Sequence, residues 1–329
     1  MSTPKRHHYV PQTYLRKFCT PPGTSETIHF LDNTKSQTGD IHSISINKIC
    51  IERHLYRLNI DTADPQLIEK FYAENIDAKY NEIFDVLTND GIEELTKEQR
   101  ESIIEYLVTQ LYRSPKWKNF HTEVINRVLE KMYFMCQQMG SETFSFEGEQ
   151  ISINGKSLEQ LQNEWHTNAK NGILLTQLDV ANKLIAHRIS SDSIMVSKLE
   201  DDREFITSDN PVIYYNPDVE HQMPFHPANI LQMPLSPKHM VLLLPGSDTK
   251  FQHLITRKNC NGQMSQLERL IANYDQLKSS ERFVIGTKSS LEKYLETKEE
   301  SERPLTDEEI DNIKPEDPPF THFKKRGLL

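Results

Sequence analysis

The run His7-His8-Tyr9-Val10-Pro11-Gln12-Thr13-Tyr14-Leu15-Arg16-Lys17-Phe18 places two imidazoles, two phenols, an amide and two cations where most chains carry a frayed terminus. Its backbone has few options. Pro11 fixes its own φ and forces Val10 into an extended conformation, so residues 7–10 approach as a short extended piece and a helix begins after Pro11. Within that helix Tyr14, Leu15 and Phe18 fall at i, i+1, i+4 and can bury together, which anchors the histidines at a helix entrance. Two uses of the pair stay open: His7 and His8 as metal ligands or as general acid and base, or as groups that cap and pack on their own helix.

Length and charge bound the rest. At 329 residues the chain exceeds what one small core usually serves, and 48 acidic against 38 basic residues argue against broad electrostatic coating of nucleic acid while leaving room for a local basic groove. Cys19, Cys50, Cys136 and Cys260 are widely separated with no CxxC pair, so reduced thiols are expected rather than a zinc knuckle. No apolar stretch approaches the roughly twenty residues of a membrane span, and a secretory leader is not evident. A soluble, intracellular protein with no membrane partner is therefore expected.

Residues 28–31 read as a strand, and the apolar residues between Ile44 and Leu58 as one or two more, enough for a small antiparallel sheet. Asp64-Pro65 opens a long amphipathic helix whose stripe runs from Leu67 through Phe71, Ile76, Tyr80 and Phe84 to Leu87, before the Asn89-Asp90-Gly91 break. Thr96-Lys97-Glu98-Gln99 is a capping box for a second helix that Ser114-Pro115 ends or bends, and a third covers 117–139. Residues 144–155 alternate around a glycine turn and predict a hairpin inserted between helices. Helical patterning returns over 157–190. Short apolar runs at 193–199, 205–206, 212–215 and 240–244 suggest a mixed sheet of four or five strands, followed by a helix through Leu267, Leu270, Ile271 and Tyr274 and a strand at 283–285. From 298 onward, charge and proline predict a mobile tail.

Two constellations could carry chemistry. Thr207-Ser208-Asp209-Asn210-Pro211 lies between two apolar runs, at a strand end, where Asp209 could ligate a metal or orient an imidazole and Asn210 could fix a substrate carbonyl, phosphate or base edge. The same composition also makes a turn whose side chains satisfy their own backbone. On the first long helix Glu69 and Asp77 stand at i and i+8, with Gln110 and Arg113 able to face them from the next helix; such a set can hold a divalent metal or clamp a phosphate, or can be a solvated face. No glycine-rich phosphate loop, GxSxG elbow or HExxH is present.

The string HHYVPQ-x-YLR-x-F, with Phe205-Ile206-Thr207-Ser208-Asp209-Asn210-Pro211-Val212 far downstream, resembles a bacterial family known only as a domain of unknown function. The resemblance covers about residues 5–290. It implies a context in which some members are encoded among phage-defence genes, and an E-x-x-x-A-x-x-E-like helix with an R-[ST]-P turn; here those positions are Glu69, Ala73, Asp77 and Arg113-Ser114-Pro115, with aspartate in place of the second glutamate.

The expected fold is α+β, predominantly helical, with an antiparallel helix bundle packed on a small mixed or antiparallel sheet. Residues 1–60 should carry the signature segment and strands that join the C-terminal sheet, 61–190 the bundle with its hairpin, 191–297 the mixed sheet, and 298–329 the tail. The expected function is that of a defence-associated, metal-dependent phosphodiesterase or nuclease, acting on nucleic acid or nucleotides with Mg²⁺, Mn²⁺ or Zn²⁺. His7, His8, Asp209 and Asn210 would be catalytic, Tyr9, Gln12, Arg16, Lys48 and Arg113 would bind substrate, and His8, Asp209, Glu69 and Asp77 would hold the metal. The alternative is a sensor or interaction module without catalysis, in which the signature residues are structural.

Overall fold

The computed structural model describes residues 6–20, 26–35, 39–58, 64–146, 148–216, 226–246 and 251–302. The signature run forms strand β1 (Arg6–His8) and, directly after Pro11 in its extended conformation, helix α1 (Gln12–Leu15). Strands β2 (Thr27–Asp32), β3 (His42–Ser45) and β4 (Ile51–Arg53) follow, and β1 pairs antiparallel with β4, His7 opposite Glu52.

The long first helix is interrupted. Helix α2 (Leu67–Phe71) widens into a π-turn over Tyr72–Ile76 and tightens into a 3₁₀ turn over Asp77–Lys79 before α3 (Tyr80–Thr88). The capping box of Thr96 and Gln99 forms as expected and starts α4 (Lys97–Tyr112); α5 (Pro115–Met139) begins with proline in its first turn and ends on Gly140, whose left-handed φ of 66° needs no Cβ clearance. The expected hairpin is β5 (Thr143–Phe146) with β6 (Glu149–Ser152), and α6 (Leu158–Ser191) returns to pack against both α4 and α5.

Two further sheets complete the α+β fold. Strands β7 (Ser193–Leu199), β9 (Ile213–Tyr215), β10 (Ile230–Pro234), β11 (His239–Leu244) and β12 (Ile255–Cys260) make a mixed sheet in the order β12-β7-β11-β10-β9, with β12 parallel to β7. The short β8 (Thr207–Ser208) stands outside it. It joins β13 (Phe283–Gly286), β2 and β3 in a four-stranded antiparallel sheet, so strands from the two ends of the domain are paired to each other. Helix α7 (Gly262–Ser279) packs against β8, β9 and β12, and α8 (Lys288–Glu302) against β2 and β13. One apolar core runs through the molecule, from Val10, Tyr14, Leu15 and Phe18 through Tyr80, Leu87, Ile104 and Leu107 to Val196, Met233, Val241 and Ile285.

Several expectations need correction. The run at 205–206 is not the strand; the ladder starts at Thr207 because Ile206 N–H is taken by the Asn273 side chain. Strands β10 and β12 and helix α8 were not anticipated, and α8 continues past 298 to Glu302; the remainder of the expected tail lies outside the described residues. Helix α7 faces the opposite way from its apolar pattern. Its buried residues are Ser265, Ala272, Asn273 and Gln276, while Leu267, Ile271 and Tyr274 are exposed.

The junction of α6 with β7 rests on two arginines. Arg188 is fully buried, pairs with the equally buried Asp192 and donates to Asn229 O at 2.6 Å. Arg100 donates to Ile189 O and Asp192 O at 2.7 and 2.5 Å, covering carbonyls left open by the helix end. Breaking such a pair leaves a buried charge uncompensated. Arg188→Met is expected to cost about 3–5 kcal/mol, read as a fall in denaturation midpoint without change in the slope of the urea transition.

Candidate functional site

Arg113 is the residue around which the signature segment is assembled. It sits at the C-cap of α4, its side chain is 1 % exposed, and its guanidinium donates to Asp77 Oδ1 at 2.5 Å, Asp77 Oδ2 at 3.3 Å and His8 O at 2.8 Å. Its plane lies 4.7 Å from the Tyr72 ring centre, and its backbone carbonyl accepts from Tyr56 Oη at 2.6 Å. Burial works against the guanidinium, but Asp77 and Tyr56 outweigh it and hold the group above its ordinary value. One turn back, Gln110 donates to Tyr9 O at 2.9 Å. Two residues of α4 therefore bind the backbone of the opening strand.

The π-turn explains how Asp77 reaches this place. In a straight α-helix, residues eight apart sit about 80° apart around the axis. A π-turn absorbs roughly one residue and brings them to within about 20° of each other. Glu69 and Asp77, set on opposite ends of that turn, thus share a face, while Glu74 points out to solvent.

His7 is fully buried, stacked on Tyr56 with ring centres 5.8 Å apart, and its Nδ1 accepts from Tyr56 N–H at 3.1 Å. Glu69 Oε2 approaches the same nitrogen at 3.8 Å. A nitrogen that accepts from a backbone N–H offers Glu69 a lone pair rather than a proton, so it does nothing to stabilise a carboxylate. Burial raises the Glu69 carboxyl to about 7, with Arg113 opposing and Asp77 assisting the shift, and Oε2 has no hydrogen-bond partner. His8 is half-buried. Burial holds its imidazole below the ordinary value, against a hydrogen bond to the Ile46 backbone, and Gln12 Nε2 lies 3.3 Å from its Nε2. Cys50 and His54, which bracket β4, adopt left-handed φ of 53° and 55°, a conformation that costs non-glycine residues about 1 kcal/mol or more each and persists only where the surroundings impose it.

The second motif does meet the first. Tyr14 Oη shares a 2.6 Å hydrogen bond with Thr207 Oγ1 and donates to Pro234 O at 2.8 Å. Burial, Cys50 and then Asp209 raise the Tyr9 phenol far above its usual range. The motif's polar groups are spent internally. Asp209 Oδ1 and Oδ2 accept from Glu281 N–H and Arg282 N–H at 3.0 and 2.8 Å, Ser208 Oγ donates to Gln276 Oε1 at 2.8 Å, and Asn210 Nδ2 donates to Ser279 O at 3.0 Å. Lys116, in the first turn of α5, donates to the same Ser279 O at 3.0 Å. Burial pushes Asp209 up to about 6, opposed by the backbone N–H donors.

The remaining candidates are dispersed. Arg16 pairs with Glu26 on the surface at 2.7 Å and Lys48 is exposed on a 3₁₀ turn, so neither joins Arg113. The four expected metal ligands do not form one set: Asp209 is held by backbone N–H groups and Asp77 by Arg113, and among the described residues no three His, Cys, Asp or Glu side chains converge. Tyr56, Tyr72, Asn273 and Gln276 were not singled out beforehand. The last two carried no distinguishing signal, since α7 also holds Ser265, Gln266, Glu268, Arg269 and Asp275.

A family model described as "Protein of unknown function (DUF4238)" matches residues 6–290, and the chain belongs to that family. No curated protein and no solved structure matches it.

Two outcomes follow. Asp209→Asn replaces one acceptor by a donor and leaves a backbone N–H of the 281–282 turn unpaired, so stability should fall by about 1–3 kcal/mol, measured by urea unfolding. For Glu69, a folded pKa raised above its unfolded value means a contribution fully present below about 4.3 and lost as pH rises through about 7. Glu69→Gln removes that loss. The variant should melt above the parent at pH 8, and the difference should vanish or reverse at pH 5.

Proposed function

We propose that this protein is a hydrolase of phosphodiester-type substrates, nucleic acid or nucleotide, serving antiviral defence, with Glu69 and His8 as its acid–base pair. The observation that carries this reading is the half-buried Glu69 side chain, its carboxyl raised to about 7 and its enclosed Oε2 left without a hydrogen-bond partner beside a histidine nitrogen that already accepts from a backbone N–H. A carboxyl pushed up to about 7 keeps much of its proton near neutrality, and burial favours the neutral form of the His8 imidazole. Those two states suit an acid and a base. His8 would accept the proton of the attacking water and protonated Glu69 would give its proton to the departing oxygen, while Arg113 and Asp77 position both elements. The defence setting is suggested by the family resemblance. The acid–base assignment routes no step through Mg²⁺, Mn²⁺ or Zn²⁺, because Glu69 acts in its protonated form and a ligand must be deprotonated.

The rival reading, a non-catalytic sensor or interaction module, is favoured by the Asp209 turn, whose polar side chains are all committed to the fold. Assay separates the two. Single- and double-stranded DNA, RNA, nucleotides and bis-p-nitrophenyl phosphate are incubated with the protein, with chelator and with each metal. Parent protein should hydrolyse at least one substrate, and Glu69→Gln should lower kcat by about 10²-fold or more with its melting temperature at or above the parent's. Folded Glu69→Gln and His8→Ala proteins that protect cells from phage as well as the parent would end the catalytic reading and leave the module.

A further inference from the structure

Helix α7 is built inside out. Its polar face is turned to the protein and fully employed: Asn273 Oδ1 accepts from Ile206 N–H at 2.9 Å, Gln276 holds Ser208 Oγ and Pro211 O at 2.8 Å each, Ser265 donates to Asp201 at 2.7 Å, and Glu268 and Asp275 are pinned to Lys258 and Gln232 of the mixed sheet at 2.6 and 2.8 Å. Apart from Gln263 and from Lys278, whose ammonium lies 4.6 Å from the Tyr274 ring centre, what is fully outward is apolar. Met264, Leu267, Ile271 and Tyr274 are 54, 51, 53 and 49 % exposed. They are spaced 3, 4 and 3 residues apart, the narrow seam of a coiled coil rather than the wider stripe that faces a domain core. Tyr215 of β9, the strand that packs against α7, is 37 % exposed and extends the patch at its edge.

We propose that α7 is a homodimer seam, paired antiparallel with α7 of a second copy about a two-fold axis. The spacing is the first argument for a second copy. A 3-4-3 pattern is palindromic about residue 269, so an antiparallel partner brings Met264 opposite Tyr274 and Leu267 opposite Ile271, each contact occurring twice as an isologous interface requires. Area is the second. Five side chains each leaving roughly 80–100 Å² in water give about 400 Å² of apolar surface per copy. Two copies supply about 800 Å², and at the roughly 65 % apolar content of homodimer interfaces the total is about 1,200 Å², at the lower edge of the range of specific complexes. The third argument is rigidity, because the inward hydrogen bonds fix the stripe before any partner arrives and little ordering is left to be done on association. The proposal is independent of the acid–base reading.

Sedimentation velocity of the full chain between 1 and 100 µM, at low and moderate salt, tests it. A dimer is expected, and Leu267→Glu/Ile271→Glu should weaken it at least 100-fold while leaving the circular dichroism spectrum unchanged. A parent that stays monomeric throughout, which is also the result if another segment of this chain covers the stripe, overturns the proposal; so does a folded double variant that still dimerises. Should the glutamate variant unfold, Leu267→Cys/Ile271→Cys decides. The four native cysteines are buried, so background is low, and mild oxidation should yield a covalent dimer joining residue 267 of one copy to 271 of the other. Absence of that crosslink overturns the antiparallel seam.

Discussion

The turn Arg113-Ser114-Pro115-Lys116 is the joint on which the two sequence motifs depend. Before Pro115, Arg113 binds the His8 carbonyl and Asp77; after it, Lys116 binds the Ser279 carbonyl that Asn210 also binds. Arg113 is buried and Lys116 half-buried, and each is placed by a helix end, where backbone groups already lack intrahelical partners. Burying a guanidinium is tolerable only because Asp77 and the carbonyl oxygens meet it with well-formed hydrogen bonds. Proline enforces the separation of the two helices, so the two cations diverge toward different motifs.

This joint divides the labour between the motifs. The Asp209 turn is a clasp: its carboxylate, hydroxyl and amide close onto α7 and the 279–282 turn, and Tyr14 ties it to α1. The opening strand is different in kind. His7, His8, Glu69 and Asp77 are brought together with more polar capacity than the surroundings satisfy, since Glu69 Oε2, Gln110 Oε1, Arg113 Nε and Tyr106 Oη are buried without partners. Buried polar groups are ordinarily satisfied. Gln110 and Arg113, three apart on α4, and Tyr106, one turn earlier, mark the face of that helix turned toward the opening strand.

Local rules made much of the fold legible. Pro11 set the strand-to-helix change, Thr96 with Gln99 the start of α4, Ser114-Pro115 its end, and the alternation of 144–155 the hairpin, because each of these is decided by residues close in sequence. What escaped was set at a distance. A π-turn at Tyr72–Ile76 leaves no periodic trace, yet it decides that Glu69 and Asp77 share a face. Helix α7 was read by its apolar residues and faces the other way, because Asn273 and Gln276 serve a turn some sixty-five residues earlier. The clustering of Glu69 with His7 and of Arg113 with His8 was partly visible as a list of suitable residue types. Their separation from Asp209, and the commitment of Asp77 to Arg113, were not.

Whether Glu69 keeps its proton near neutrality decides the acid–base assignment. Carbon-detected NMR titration of protein labelled at the glutamate side-chain carboxyl, with Glu69→Gln identifying the resonance, reads it directly. A midpoint of about 7 for Glu69 is the expected result. A midpoint in the ordinary glutamate range, about 4.3, would contradict it and remove the acid from the site.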